Sequence, residues 1–404
     1  MNPGASKPAS TSTSTSIAQS FSVNYEYPVL FTRGAFDPQN PVLAETVDRL
    51  AEGRRHRAMA VLDAGLLQAQ PDLAARLAGY CRAYSERLEL VAEPLVVPGG
   101  EAAKNGWELV QRVMSRIGEL HLCRQSFVLA VGGGSVVDMA GFAASIVHRG
   151  LRLVRMPTTT LAQSDGGVGV KNGMDEHGMK NFVGTFAPPF AVVNDLDVLR
   201  TLADKDWAAG VSEAFKVAII KDAEFFGFLC SASARLAARD EAAMERLVRR
   251  SAELHLEHIR TGGDPFEFGS ARPLDFGHWS AHRLETMSGY ALGHGQAVAV
   301  GIALDSCYAC RQGLVSGSEL ERIIAGLATS GLPVWSEHLA QRGADGKLAI
   351  LRGLEEFREH LGGRLTVTFP DGIGRRREVN HVDLAVMEAC VGELARRAGG
   401  VPTA

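Results

Sequence analysis

An α/β N-terminal domain built on a Rossmann-like parallel sheet, followed by a mostly α-helical C-terminal domain, is the architecture this sequence predicts. Three observations carry it. From residue 24 to about 196, short apolar runs alternate with helical stretches, the βαβ pattern of a parallel sheet covered by helices. One of those runs, FVLAV at 127–131, leads directly into Gly132, Gly133, Gly134 and Ser135 and then into a helix. From about Thr201 the texture changes to long amphipathic helices.

The elements follow in order. Residues 57–63 (RAMAVLD) read as a strand and 71–87 as a helix; 88–97 (LELVAEPLVV) read as a strand and 102–120 as a helix. After FVLAV and its glycine turn come a helix over 136–147 and a strand over 151–156. Residues 156–181 are polar and glycine-rich and read as a loop, whereas 206–229 read as one helix by apolar periodicity. Late in the chain, RLTVTF at 364–369 followed by Pro370-Asp371-Gly372 predicts a hairpin. No internal repeat is visible.

At 404 residues the chain is too long for one ordinary core. The expected division is 21–198 for the sheet domain and 199–404 for the helical domain, after a Ser/Thr-rich lead-in over 1–20 expected to be disordered. Apolar content of 46% and charged content of 22% describe a soluble globular protein. A net charge of −4 without a long basic run argues against nucleic-acid binding. No stretch resembles a membrane span or a signal-peptide core. Six cysteines are scattered without a framework; Cys307 and Cys310, a lone CxxC in an apolar helical pattern, read as buried thiols, and a reducing cytoplasm fits.

The densest chemistry lies in 274–294, LDFGHWSAHRLETMSGYALGH, which holds His278, His282 and His294, with Asp275 three positions ahead of the first. Upstream, SEAFK carries Glu213 and Lys216. Two imidazoles and a carboxylate can supply three ligands to zinc and leave one position open. A histidine pair four apart on one helix face also serves as a core or capping feature, so spacing alone leaves the metal unproved.

The strand–GGGS–helix junction lets backbone N–H groups approach a pyrophosphate at a helix N-terminus. Glycine turns also occur without a ligand. Asp138, one turn into that helix, could accept hydrogen bonds from a ribose or nicotinamide; Glu101 and Lys104 in GGEAAK sit where a second loop could grip a dinucleotide. The segment 156–181 gathers threonines, Asp165, Lys171, Lys180 and Asn181, and its lysines could neutralise a substrate phosphate. A solvated surface loop would have the same composition.

Taken together, GGGSVVDMAGFAASIVHRG, PTTTLAQSDGGVGVKNG with a following KN, GVSEAFK, DFGHWSAH and GHGQAVAVGIAL resemble the sugar-phosphate cyclases, the superfamily of 3-dehydroquinate synthase, over about 63–367. The resemblance implies a dehydroquinate synthase-like fold, with an NAD-binding α/β domain and a helical metal- and substrate-binding domain. It implies Glu213, His278 and His294 as ligands of zinc or cobalt. It implies Asp63, Glu101, Lys104, Gly133, Gly134, Ser135, Asp138, Thr158, Thr159 and Lys180 as the NAD site. Asp165, Lys171, Lys216 and His282 would act on the substrate, with Asn181, Lys180 and Asp275 beside it. Arg149 would reach the phosphate in the neighbouring subunit's site, which implies a homodimer. The implied reaction is transient oxidation of a ring carbinol, β-elimination of phosphate, reduction, ring opening and intramolecular aldol closure.

The sequence departs from dehydroquinate synthase at the substrate. Asp275 stands where that enzyme has asparagine, Ala271 stands where it has a carboxylate-binding arginine, with Arg272 adjacent, and no lysine occurs between Lys221 and Lys347. Its paired lysines near the C-terminus are replaced by Glu356-Phe357-Arg358-Glu359-His360. Fewer cations and an added carboxylate suit hydroxyls rather than a carboxylate. EFREHLGGRLTV and DFGH resemble cyclases of sedoheptulose 7-phosphate such as the 2-epi-5-epi-valiolone synthases, although those usually lack a histidine at the place of His282. The expected substrate is therefore a ketose phosphate, sedoheptulose 7-phosphate first, with 3-dehydroquinate synthase as the alternative. Formation of 2-deoxy-scyllo-inosose, an inactive NAD-binding relative and a metal-dependent, glycerol-dehydrogenase-like alcohol dehydrogenase are further alternatives.

Overall fold

The computed structural model describes residues 16–177, 179–266, 273–360 and 363–399. Ala271, Arg272 and residues 1–15 of the expected lead-in lie outside them. Residues 16–26 are exposed and, like the rest of 16–28, take no regular secondary structure.

In chain order the N-terminal half runs β1 (Val29–Thr32), α1 (Val42–Val47), β2 (His56–Asp63), α2 (Ala64–Ala69), α3 (Leu73–Ala83), β3 (Leu88–Leu90), β4 (Leu95–Val97), α4 (Glu108–Glu119), β5 (Phe127–Gly132), α5 (Gly134–Ile146), β6 (Arg152–Pro157), α6 (Thr160–Ser164), β7 (Lys171–Glu176), β8 (Met179–Phe186) and β9 (Ala191–Asp195). Seven strands form one parallel sheet in the order β1-β9-β6-β5-β2-β3, with β4 also on β2. Side-chain alternation explains why its strands read as continuous apolar runs. Phe127, Leu129 and Val131 of β5 pack with Leu43, Leu77 and Tyr80 on one face, while Val128 and Ala130 pack with Val110, Val113 and Phe142 on the other.

From Asp204 the chain is helical: α7 (Asp204–Lys221), α8 (Ala223–Ala237), α9 (Glu241–Thr261), α10 (His278–Met287), α11 (His294–Arg311), α12 (Gly317–Thr329), α13 (Arg352–His360) and α14 (Leu384–Arg397). These helices share a second core around Phe215, Phe226, Trp279, Ile302 and Leu327. The expected hairpin forms from β10 (Val367–Pro370) and β11 (Arg376–Val379). Cys307 is buried as expected and Cys310 only half so; all six cysteines are free thiols. No helix among the described residues is long and apolar enough to cross a membrane.

Four local expectations change. The 156–181 segment is no loop: it contains α6 and most of an antiparallel hairpin, β7 on β8. Most of β8 is exposed, so it lacks the apolar alternation that marks a strand. The single helix over 206–229 breaks at Asp222, whose carboxylate instead caps α8 by accepting from Phe225 N at 2.9 Å. The strand 88–97 splits around Pro94, which has no N–H for the ladder. The helix over 102–120 begins as a 3-10 turn, Glu101–Ala103, and restarts at Glu108 past Gly106, whose φ is +74°.

One buried cation shapes the segment that follows α6. Arg155 on β6, fully buried, donates to the carbonyls of Gly169 and Lys171 at 2.8 and 2.7 Å and to Asn172 Oδ1 at 2.8 Å. Longer bonds of 3.4 Å reach the carbonyls of Gly166 and Gly167, and Tyr27 Oη adds one to Val168 O at 2.9 Å.

Candidate active site between sheet and helices

The C-terminal ends of the parallel strands open onto a cleft of about 670 Å³ facing the helices. Asp63, at the end of β2, caps α2 by accepting from Gly65 N at 2.8 Å and lies 3.5 Å from Gly133 N. Gly99 makes room for it: a Cβ there would come within 2.5 Å of the Asp63 carboxylate. Glu101, Gly133, Gly134, Ser135, Thr158 and Thr159 line the same cleft, and Thr159 Oγ1 caps α6 by accepting from Ala162 N at 3.1 Å. The N-termini of α5 and α6 thus both face this space, which favours an anion such as a pyrophosphate. Across it stand Tyr290 and 293–296, including His294.

Three helices bring the candidate ligands together: Glu213 lies midway along α7, His278 opens α10 and His294 opens α11. His278 Nε2 and His294 Nε2 stand 3.6 and 3.5 Å from Glu213 Oε1. Atoms about 2.0–2.2 Å from a tetrahedral ion lie roughly 3.3–3.6 Å from one another, so this is ligand spacing. Each imidazole is oriented through its other nitrogen, His278 Nδ1 to Phe276 O at 3.1 Å and His294 Nδ1 to Glu285 Oε2 at 3.2 Å. Both Glu213 oxygens are buried without an aligned hydrogen bond, although Lys216 Nζ lies 2.5 Å from one of them. A buried carboxylate facing two inward Nε2 atoms at this spacing fits a divalent ion.

Close helix contacts build this geometry. A Cβ on Gly295 would come 2.5 Å from Ala209 Cα, so the glycine lets α11 cross α7 one turn before Glu213. Gly277 takes φ +79° just ahead of His278, and Asp305 on α11 secures that turn. Its carboxylate accepts from Gly277 N at 3.0 Å and from Trp279 Nε1 at 2.9 Å.

Burial pushes the Glu213 carboxyl up, but Lys216, His278 and His294 outweigh it and hold it at about 2. Burial, then Lys216, depresses His278; burial together with His278 and His294 takes His282 down to about 3. Both are neutral imidazoles near pH 7. Burial also works against His294, yet Glu213 and Glu285 raise it to about 9. A proton there holds the place that a cation would take.

Around this centre, Lys216 Nζ is 3.5 Å from Asp165 Oδ2, and His255 Nδ1 on α9 is 2.5 Å from Asp165 Oδ1. Burial raises the Asp165 carboxyl, but Lys216 and His255 hold it well below the usual range. The His282 ring lies 5.5 and 6.0 Å from those of His278 and His294, and Asp275 ends the short turn just ahead of α10, where its charge acts on Lys216, His278 and His282. Lys180 bridges Glu101 Oε1 at 3.3 Å and Glu285 Oε1 at 2.6 Å. Lys104 pairs with Asp138 Oδ2 at 2.8 Å and also with Asn181 Oδ1, which puts Asn181 beside the nucleotide-side cluster. Lys171 is exposed at the start of β7. Arg149 is exposed past the C-terminus of α5, just before β6 and so at the N-terminal end of the strands opposite Gly133, and it and His148 take left-handed φ values of 62° and 52°. Sequence reasoning missed Glu285 and His255. Glu285 follows His282 by three, on the same helix face, a spacing that could have marked it; His255 lies in no motif.

Two family models match the chain in series, 3-dehydroquinate synthase N-terminal over residues 94–209 and 3-dehydroquinate synthase C-terminal over 210–348. Fold and site therefore define a sugar-phosphate cyclase, a phosphate-eliminating enzyme class. A curated 3-dehydroquinate synthase of Paracoccus denitrificans is 36% identical over 298 residues, covering 73% of this chain and 80% of the relative. The chain belongs to the 3-dehydroquinate synthase family. Among solved structures, 2-epi-5-epi-valiolone synthase from Streptomyces hygroscopicus subsp. jinggangensis, with NAD+ and Zn2+ bound, superposes with a TM-score of 0.82 at 29% identity, covering 94% of this chain and 100% of that one. A 2-deoxy-scyllo-inosose synthase complexed with carbaglucose-6-phosphate, NAD+ and Co2+ shares the fold at a TM-score of 0.71 and 21% identity, over 92% and 96% of the two chains.

Proposed function

We propose that this protein is an NAD- and metal-dependent cyclase that converts sedoheptulose 7-phosphate to a C7 cyclitol with release of phosphate. The observation that carries the reading is His294, which lines the nucleotide cleft and also completes the Glu213–His278 set. NAD would be held by Asp63, Glu101, Lys104, Gly133, Gly134, Ser135, Asp138, Thr158, Thr159 and Lys180, and zinc or cobalt by Glu213, His278 and His294; bound, they supply reversible hydride acceptance and Lewis acidity.

The chain's own residues then position the sugar. Lys216, shared between Glu213 and Asp165, presents a fixed ammonium to a ring oxygen, and Asp165 accepts from a hydroxyl. His282 is a neutral imidazole beside the ligand set, with one donor and one acceptor nitrogen to offer a substrate hydroxyl. Lys171, Lys180 and Asn181 serve as further substrate contacts from the hairpin. Arg149, exposed at the N-terminal end of the strands, would serve the phosphate of a partner subunit in a homodimer.

Substrate choice rests on charge. Asp165, Asp275 and Glu213 surround Lys216, so a substrate carboxylate would meet repulsion where hydroxyls find acceptors. The likeness to 2-epi-5-epi-valiolone synthase supports this choice; the names of the curated relatives favour 3-dehydroquinate synthase as the second reading. Phosphate release is to be measured with NAD and zinc or cobalt on sedoheptulose 7-phosphate and on the seven-carbon keto acid phosphate of dehydroquinate synthase. Efficient dehydroquinate formation would overturn the first reading. One NADH accumulating per turnover would instead indicate an alcohol dehydrogenase.

A further inference from the structure

Helix α9 gives the centre a polar wall that none of the roles above uses. Ser251 and His255, one turn apart, line a small pocket completed by Asp165, Glu213, Lys216 and Leu274 among others. The pocket has room for a single water-sized group. Ser251 is 2% exposed, and its Oγ is buried without a hydrogen-bond partner among the described residues. A buried hydroxyl left unpaired requires an explanation. His255 Nδ1 lies 2.5 Å from Asp165 Oδ1, yet it is not aligned as a hydrogen bond, so the carboxylate keeps acceptor capacity. On the other side of the imidazole, a Cβ on Gly169 would lie 3.0 Å from His255 Nε2, so the glycine leaves the ring its space.

We propose that this pocket is a hydroxyl-binding subsite of the substrate cavity, with Ser251 and His255 as specificity-determining residues. The proposal rests on the sugar-phosphate cyclase reading and adds the group that the pocket takes. Its size admits one oxygen. Its walls carry two carboxylates, Asp165 and Glu213, beside Lys216 and the His255 imidazole, so no excess of positive charge draws a phosphate or carboxylate oxygen into it. A hydroxyl satisfies both sides, donating to Asp165 and pairing with Ser251 Oγ.

The test is phosphate release by wild type, Ser251→Ala and His255→Gln on sedoheptulose 7-phosphate and on its monodeoxy analogues, each lacking one hydroxyl. Metal content and NAD titration report folding independently of turnover. Wild type should penalise one analogue by about tenfold or more in kcat/KM, the factor expected for one buried hydrogen bond. Ser251→Ala should bring the parent substrate down to that analogue's level, mainly through KM, with metal and NAD binding unchanged. His255→Gln should narrow the same gap. Equal losses on every substrate, or a parent kcat/KM within twofold of wild type in both variants, would overturn the proposal. Failure of the underlying reading looks different: wild type would then act on the keto acid phosphate, and the variants would be judged by the same criterion on that substrate's deoxy analogues.

Discussion

Lys180 and Glu285 are 105 positions apart in sequence and 2.6 Å apart in space. The pair ties the β7–β8 hairpin to α10, and the other oxygen of Glu285 holds His294 Nδ1. Burial raises the Glu285 carboxyl, but His294 and Lys180 bring it to about 2, so it is ionised throughout the working range. Glu285→Gln should therefore weaken metal binding by about 10- to 100-fold, the usual cost of losing a carboxylate behind a ligand histidine. Competition with a chelator measures this; an unchanged Kd contradicts it.

His278→Ala should lose metal and phosphate release together. The competing set His282, Glu285 and His294 also has ligand spacing, which makes the test discriminating. A loaded structure with the ion on His282 and not on His278 would refute the assignment.

Gly295→Ala probes the helix crossing. A methyl group 2.5 Å from Ala209 Cα must push α11 away from α7, and with it His294 from Glu213. Metal affinity should fall at least about tenfold. Wild-type affinity in this variant would mean the crossing does not set the ligand spacing.

Asp305 should be visible in the pH dependence of stability. Burial raises its carboxyl to about 7 despite the bonds from Trp279 and Gly277, against about 3.9 in an unfolded chain. The folded state holds the proton more tightly, so the residue's contribution is fully present below about pH 4 and lost as pH rises to about 7. Relative to wild type, Asp305→Asn should gain on the order of a few kcal/mol across that interval and hold that advantage, without further change, above it. Urea unfolding at a series of pH values reads the difference; a constant offset refutes it.

Asp275→Asn should lower activity on sedoheptulose 7-phosphate by about one to three orders of magnitude, the loss expected for a charge-assisted bond to a substrate hydroxyl. It should not create dehydroquinate synthase activity, because no lysine is restored between Lys221 and Lys347. Steady-state kinetics on both substrates decides.

The parallel sheet was legible because apolar strands run into glycine turns; the Glu213, His278 and His294 set came from the family resemblance, since histidine spacing alone left it open. The hairpin carrying Lys171 and Lys180 was not, because β8 is mostly exposed on both faces and shows no burial period. The break at Asp222 was hidden because apolar periodicity continues across a capping residue. His255 and Ser251 sit in an amphipathic helix whose sequence does not announce which polar residues turn inward; only the packing of α9 against Asp165 and Gly169 does.

Arg155 reads backbone, not identity. Of its five acceptors, four are main-chain carbonyls, those of Gly166, Gly167, Gly169 and Lys171. Its grip therefore survives exchange of the Lys171 side chain, since any residue there offers the same carbonyl. What position 171 displays can change while Arg155 keeps the course of the segment, and a library randomised at that position should retain folded members at high frequency.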